Sequence, residues 1–382
     1  MDTHPDRQRP EHSPTPDAYR SERTALSRVA LGTYKSIRAC DVKIGNVTFL
    51  IGRNGAGKSN FLDGLHFIHD AINTNLESAV TAHGSPGSLR TVGTDKLSVE
   101  LRFTLASGEA IYRVTLRTPD ASYQVIEESF TLTSEGVARQ FIPPSAADES
   151  TKRTLSLPIA AAANHDVKIV YDYIRSMRFY DFSIPAIRKV QTPSQGELLR
   201  SDGGNLASVL GRMEQDRLER LHEYMRAILP GITLIQRKEL GPGEAIQFNT
   251  PRGGFYAHHM SSGTLLALAV LVAILQPPDA NNQKASLVAL EEPEGSLHPA
   301  AVGVLFDAIM EASNDRQMMV ATQSPDLLDR ADLPPDSILA VVSGEAGSEL
   351  GAVDQTTRKA LQSHMFTAGE LIRLDQIRPA GS

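Results

Sequence analysis

The chain has 382 residues, 41% of them hydrophobic, enough to bury a sizeable core as one large domain or as one domain with a substantial insertion. Acidic residues outnumber basic ones, 45 to 38, and a net charge of −7 excludes a protein that lives mainly by phosphate-backbone contacts, so any nucleic-acid binding has to be local. A single cysteine, Cys40, excludes an internal disulfide framework. Cys40 itself reads as a small buried hydrophobe in a strand. No apolar run approaches the roughly 20 residues of a membrane span and the N-terminus lacks a signal-peptide core, so a soluble, cytoplasmic protein is expected.

Residues 1–24 combine prolines and charges with hardly any apolar side chains and are expected to be a disordered tail. Order is expected over 25–382. The stretch from Ser27 to Gly52 reads as strand, turn and strand, ending in the short buried strand "NVTFLIG". A helix follows, with Phe61, Leu62, Leu65 and Ile68 at helical spacing. Residues 83–203 change texture: three alternating segments predict successive antiparallel strands, and the whole is expected to form a β-rich arm inserted in the head. Within it "PPSAADESTKRTLSLPIAAAANHD" reads as loop, with alanines that leave room for a short helix. Residues 204–240 are expected to form a helical lobe, built on one amphipathic helix from Asn205 to Leu229 that Pro230-Gly231 stops, with strands resuming at "ITLIQRKEL" and "EAIQFNT". The nearly uniform apolar run Leu265–Leu275 is about half a membrane span and predicts a buried helix behind "SSGT". A buried strand "SLVALEE", a helix, a strand "QMMVATQS" and a closing strand-helix portion complete the pattern, which points to a parallel-sheet core.

Four motifs carry chemistry. "GRNGAGKS", Gly52 to Ser59, satisfies G-x-x-x-x-G-K-[ST] between a buried strand and a helix, the context in which backbone N–H groups cradle phosphates. Lys58 is then placed for the β- and γ-phosphates and the Ser59 hydroxyl for Mg²⁺, with Asn54, Gly55, Ala56, Gly57 and Asn60 completing the nucleotide loop. "LVALEEPE" puts Glu291 and Glu292 at the end of a buried strand, where phosphates bind in open α/β sheets. Glu291 is assigned to the Mg²⁺ shell and Glu292 to polarising the attacking water; a surface acidic turn is the alternative. Gln323, at the end of the next apolar strand, is a candidate for hydrogen-bonding the γ-phosphate or the water, and a plain polar strand terminus is its alternative. Ser261, Ser262 and Gly263 stand at a helix N-terminus, either as a simple cap or as an anion site.

In this order (loop, long insertion, Ser-Ser-Gly, acidic strand end, glutamine) the ordered chain resembles the stand-alone ATPases of the RecF/OLD/SMC-type branch of the ABC superfamily, the AAA-21 type of bacteria. "TYKSI", "FYDFSIPAIRK", "SDGGNLASVL", "EEPEGSLHP", "ATQSPDLLD" and "AGELIRLDQI" are similar to that branch. The resemblance implies an α/β ABC-type P-loop ATPase head, a mixed sheet core with flanking helices, and ATP with Mg²⁺ as ligands. It implies that Ser261–Gly263 is the signature that meets the γ-phosphate held by an opposing subunit, so that two chains stack head to tail around two ATP. It adds Lys35 and Ser36 as nucleotide contacts and places Gly295–His298 in the loop that crosses to the partner. His258 and His259 lack the supporting cluster of a metal site.

Departures from the family pattern are visible as well. Glu291 stands where Asp is usual, Gln323 where His is usual, and the Q-loop glutamine is open between Gln191 and Gln195. Neither a TOPRIM nuclease domain nor a long coiled coil is expected. The expected role is an ATP-driven switch, the ATPase or sensor subunit of a bacterial anti-phage defence system acting on a separate effector, nuclease or toxin. The alternative is a RecF-like clamp on double-stranded DNA in repair or chromosome maintenance. A transporter subunit does not fit the β-rich insertion, and no membrane partner is expected.

Overall fold

In the computed structural model, which describes residues 24–141, 153–280, 282–330 and 333–380, a twelve-stranded mixed sheet carries helices on both faces beside a smaller three-stranded sheet. The strands are β1 (Ala25–Tyr34), β2 (Ile37–Lys43), β3 (Val47–Ile51), β4 (Lys96–Leu105), β5 (Gly108–Arg117), β6 (Gln124–Ser134), β7 (Val137–Phe141), β8 (Arg178–Tyr180), β9 (Leu234–Leu240), β10 (Gly243–Thr250), β11 (Gly253–Tyr256), β12 (Leu287–Glu291), β13 (Gln317–Thr322), β14 (Ile338–Gly344) and β15 (Gly347–Ala352). The helices are α1 (Lys58–Asn73), α2 (Leu76–Ala82), α3 (Leu157–Ala163), α4 (His165–Arg175), α5 (Ile184–Arg188), α6 (Leu206–Leu210), α7 (Gln215–Ile228), α8 (Ser262–Leu275), α9 (Pro299–Ala312), α10 (Pro325–Leu328), α11 (Gln355–Gln362) and α12 (Ala368–Arg373).

The large sheet runs β7-β6-β5-β4-β1-β2-β15-β14-β3-β13-β12-β8. From β14 through β3, β13 and β12 to β8 every pairing is parallel. Parallel strands are buried on both sides, and the sequence obeys: all five residues of β3 and all six of β13 are buried. Alternate residues feed two cores. Phe49, Met318, Val320, Val288 and Leu290 join α8 and α9 on one face. Leu50, Met319, Ala321, Leu287 and Ala289 join α1 and α4 on the other. The mixed α/β head expected from the sequence is the observed fold.

Two expectations about its parts are corrected. The segment 83–203 does not stand apart as an arm. Strands β4 to β7 continue the main sheet, β4 pairing antiparallel with β1 in the register Val29↔Leu101 and Leu31↔Val99. The physical reason is their alternation: Val99, Leu101, Phe103, Val114 and Leu116 face the same core as Phe61, Leu65 and Ile68 of α1. Nor is 205–229 one helix. It breaks between α6 and α7, where Gly211 packs so tightly that a Cβ would lie 2.8 Å from the Arg237 side chain. The two strands expected after it, at "ITLIQRKEL" and "EAIQFNT", are β9 and β10, which pair in the three-stranded sheet. The predicted tail lies outside the described residues apart from Thr24, as do residues 142–152 of the predicted loop; the helix its alanines allowed is α3.

α8 explains its own composition. Eleven of its residues are buried, from Gly263 to Ile274, between the sheet and the helices α6, α7 and α9. Among the described residues no helix is long and apolar enough to cross a membrane. Leu268→Ala, at a fully buried position, is expected to cost about 2–5 kcal/mol, read as a lowered urea midpoint with an unchanged slope.

Candidate functional site

In the parallel half, the loops that follow β3, β8, β12 and β13 gather at the C-terminal edge of the sheet, where open α/β folds bind ligands. Residues 52–57 lead from β3 directly into α1, which starts at Lys58. Gly57 adopts φ 113°, and a Cβ there would lie 2.2 Å from the Ser348 hydroxyl, so both backbone and space demand glycine. The Lys58 ammonium donates to the carbonyls of Gly52 and Arg53, 2.8 and 3.1 Å away, which folds it over the loop. Burial lowers its pKa, while the charges of Glu292, Glu291 and Glu294 oppose that shift.

Ser59 Oγ donates to Glu291 Oε2 at 2.5 Å, so the end of β12 meets the start of α1 directly. The longer side chain at 291 therefore reaches the serine without an intermediary. Burial raises the Glu291 pKa; the Ser59 bond opposes this, and the neighbouring charges of Asp181, Asp63 and Glu292 push the same way as burial. Hard oxygen donors crowded by excess negative charge fit a hard divalent cation such as Mg²⁺. Glu292 sits in the left-handed region at φ 42°, a strained setting for a non-glycine residue, held by its N–H on the Ala321 carbonyl at 2.8 Å. Gln323 Nε2 donates to Glu292 Oε1 at 3.1 Å. Ser36 Oγ lies 2.6 Å from Ser348 Oγ and accepts from Asn60 Nδ2 at 2.6 Å, while Lys35 pairs with Asp63 at 2.5 Å. Clefts open on two sides of the loop. One of about 460 Å³ runs past Arg53–Ala56 toward Val341–Gly344 and Arg378; the other, about 320 Å³, is lined by Lys35, Ser59, Asn60, Asp63, Asp181 and Glu291.

The loop, Lys35, Ser36, Glu291, Glu292 and Gln323 thus come together. Ser261, Ser262 and Gly263 line neither cleft. Ser261 caps α8, accepting from Thr264 N at 3.2 Å, and Arg188 Nη2 donates to the Ser262 hydroxyl at 3.1 Å. A Cβ on Gly263 would lie 2.3 Å from the Ser296 carbonyl oxygen, so glycine is also what lets α8 start against the segment following Glu292.

Three residues escaped sequence reasoning. Asp181 follows β8, the strand beside β12, and lines the Glu291 cleft. Gln191, one of the two Q-loop candidates, is buried with its carboxamide committed to Ala207 N and the carbonyls of Gly203 and Ala186. Gln195, the other, lines a different cleft with Arg178 and Glu197. Glu294 is buried, accepts from the Thr322 hydroxyl, and has its pKa raised by burial. Asp63, one turn along α1 from Ser59, anchors Lys35. The "EEPE" pattern pointed toward Glu294; Asp181 stands inside "FYDFSIPAIRK", where the resemblance assigned it no role.

The family described as "AAA domain, putative AbiEii toxin, Type IV TA system" matches residues 47–329. The chain belongs to this AAA-21 family. It is an ABC-class P-loop ATPase by family and fold. An Smc head bound to the C-winged helix domain of ScpA shares the fold at 16% identity and a TM-score of 0.58, over 87% of this chain and 99% of that one. So does an Smc head with an extended coiled coil bound to the C-terminal domain of ScpA derived from Pyrococcus furiosus, at 12% identity and a TM-score of 0.57, over 90% of this chain and 100% of that one. An Smc head with a coiled coil and joint derived from Pyrococcus yayanosii gives 12% identity and a TM-score of 0.52, over 90% and 100%. No curated protein sequence matches the chain.

Gly57→Ala combines the clash with Ser348 and a strained φ, and is expected to weaken binding of a fluorescent ATP analogue at least about tenfold, from a strain of about 1–3 kcal/mol. Adding Ser348→Gly removes the clash and not the strain, so equilibrium titration of the double variant should recover only part of the loss.

Proposed function

We propose that this AAA-21 family ATPase binds and hydrolyses Mg·ATP and uses the nucleotide to hold two copies head to tail. The observation that carries the proposal is the meeting of Ser59 with Glu291, and of Gln323 with Glu292, beside the phosphate loop. Loop N–H groups and the start of α1 receive the β-phosphate, and Lys58 leaves its carbonyl partners for the β- and γ-oxygens. Ser59 and Glu291 would hold Mg²⁺, in a cleft that Asp181 also lines; the ion would supply neutralisation of phosphate charge. Glu292 acts as base toward the attacking water, its second oxygen steadied by Gln323. Gln323 gains no charge near neutral pH, which favours slow or partner-gated turnover.

Ser261–Gly263, with Arg188 beside Ser262, is the face offered to the γ-phosphate of the second copy. ATP then favours the closed pair, and hydrolysis removes the contact that held it. The role we favour is the ATPase or sensor subunit of a defence system acting on a separate effector; the family's description as a putative toxin of a toxin–antitoxin system is compatible with it. The Smc heads that share the fold bind a ScpA domain, which supports a partner protein here too. A DNA clamp is the second reading, and internal commitments weigh against it. In the arginine-bearing segments 175–189 and 217–226, Arg178 is spent on the Arg175 and Met177 carbonyls, Arg188 on Met260 and Ser262, Arg217 on Leu275 and Gln276, and Arg220 on Glu223 and Glu311.

Glu292→Gln is expected to slow steady-state ATP turnover about 10²–10⁴-fold and to leave a dimer that persists with Mg·ATP in light scattering. A variant that stays monomeric with ATP bound refutes the head-to-tail pair. Ser261→Arg should spare ATP binding and abolish turnover; unchanged turnover would reduce the serine to a helix cap. Wild-type turnover should rise with protein concentration and be indifferent to linear double-stranded DNA, whereas stimulation by DNA supports the clamp.

A further inference from the structure

Behind the loop, α1 presents Asp63, His66 and Asp70 on one face, spaced by three and four residues, with His69 beside them. Against them lies His83, just past the end of α2, its side chain only 5% exposed. Its Nδ1 is 2.7 Å from Asp63 Oδ1 and its Nε2 is 3.0 Å from Asp70 Oδ2. A neutral imidazole has one N–H; two carboxylate contacts require two. His83 is therefore an imidazolium clamped between two anions. The other oxygen of Asp63 accepts from the Tyr34 hydroxyl at 2.6 Å and holds the Lys35 ammonium at 2.5 Å.

We propose that His83 is a positioning residue for the nucleotide site: by bridging Asp63 and Asp70 it fixes the carboxylate that holds Lys35 at the rim of the Ser59–Glu291 cleft, and it cancels the negative charge that would otherwise face a nucleotide phosphate. The proposal rests on the reading that this cleft takes Mg·ATP and that Lys35 meets a phosphate there.

The charges decide its direction. Lys35 and His83 balance Asp63 and Asp70. His66, stacked on Phe179 at 4.5 Å, is held by burial down to about 4 and is neutral above that pH. Arg178 of β8 donates to His69 Nε2 at 3.4 Å, so the His69 proton is on Nδ1, which donates to Asp70 at 2.9 Å. The ligand atoms of His66, His69 and Asp70 lie within 4.8 Å of one another, so a metal ion among them is the competing arrangement. Losing the His83 proton leaves one net negative charge beside a cleft that already holds Asp181 and Glu291. Burial opposes the imidazolium, but the bonds and charges of Asp63 and Asp70 prevail and raise His83 to about 9. Burial likewise opposes the Asp63 charge, and the bonds from His83, Lys35 and Tyr34 bring it down to about 2. A raised histidine stabilises fully below its unfolded value of about 6.5 and loses that contribution as pH rises through about 9.

The test is binding of a fluorescent ATP analogue with Mg²⁺ to the full chain from pH 6.5 to 9 at fixed ionic strength, with the thermal midpoint measured in parallel. Wild-type affinity is expected to fall about twofold by pH 9, where half of the His83 imidazolium has lost its proton, against about tenfold for complete loss of that charge, the worth of one charge-assisted phosphate contact. His83→Gln should start at the weakened level and keep only the shallow decline that Lys58 contributes. Lys35→Ala should weaken binding similarly, and adding His83→Gln to it should cost little more. Asp70→Asn, which leaves the Asp63 contact intact, should move the midpoint of the pH profile downward. A His83→Gln protein with the wild-type pH profile, whatever its thermal midpoint, overturns the proposal, and so does an unshifted midpoint in Asp70→Asn if His83→Gln does not fold. Stoichiometric Zn²⁺ binding that Asp70→Asn abolishes would overturn it in favour of a metal centre. Unimpaired binding by Lys58→Ala would instead refute the nucleotide-site reading on which the proposal stands.

Discussion

β3 has no side exposed to solvent, and much of the structure follows from that constraint. Val47, Phe49 and Ile51 point into one core and Leu50 into the other, so the strand is fixed between two layers of helices. Its backbone groups are taken up by β13 on one side and β14 on the other. The chain leaving its C-terminal end therefore starts from a fixed point, and the turn at residues 52–57 is held further by Lys58 on the Gly52 and Arg53 carbonyls. The neighbouring β12 and β13 are buried in the same way, which brings Glu291 and Gln323 to the same edge as a matter of register. Preorganisation of this kind is what a phosphate site requires, since donors already in place need no reordering when charge arrives.

The antiparallel half extends this framework. Because β4 to β7 share one sheet with β1 and one core with α1, the helix that begins with Lys58 and Ser59 shares its packing with residues as far along the chain as Leu132. α1 thus has two duties: its first turn faces the nucleotide loop, and its fourth turn carries Asp70 against His83.

How much of this could be read in advance depended on the range of the determining contacts. The phosphate loop was legible because all of its chemistry lies within eight consecutive residues. The buried strands were legible from uninterrupted apolar runs, and α8 from an apolar run too short for a bilayer. The partner of β4 was not, because alternation announces a strand and is silent about which strand it pairs with; that choice was made by β1, about 70 residues earlier. The break at Gly211 was hidden because the helical spacing on either side nearly coincides. Asp181 was hidden by a three-residue strand, too short to show a pattern, and His83 by lying twenty residues from Asp63 with its role defined only in space.

The glycine at 263 deserves a thermodynamic reading. α8 begins in direct contact with the Ser296 carbonyl, four residues beyond Glu292, and Ser296 itself holds φ 62°, a conformation with little room to give. Two segments packed this tightly share one positional equilibrium. Anything that displaces the start of α8 changes the free energy of the strand end that carries the carboxylates, and anything that shifts those carboxylates changes the start of α8 by the same amount. Linkage makes the effect reciprocal. A ligand that moved either of these segments would be felt at the other, and by the same free energy in both directions.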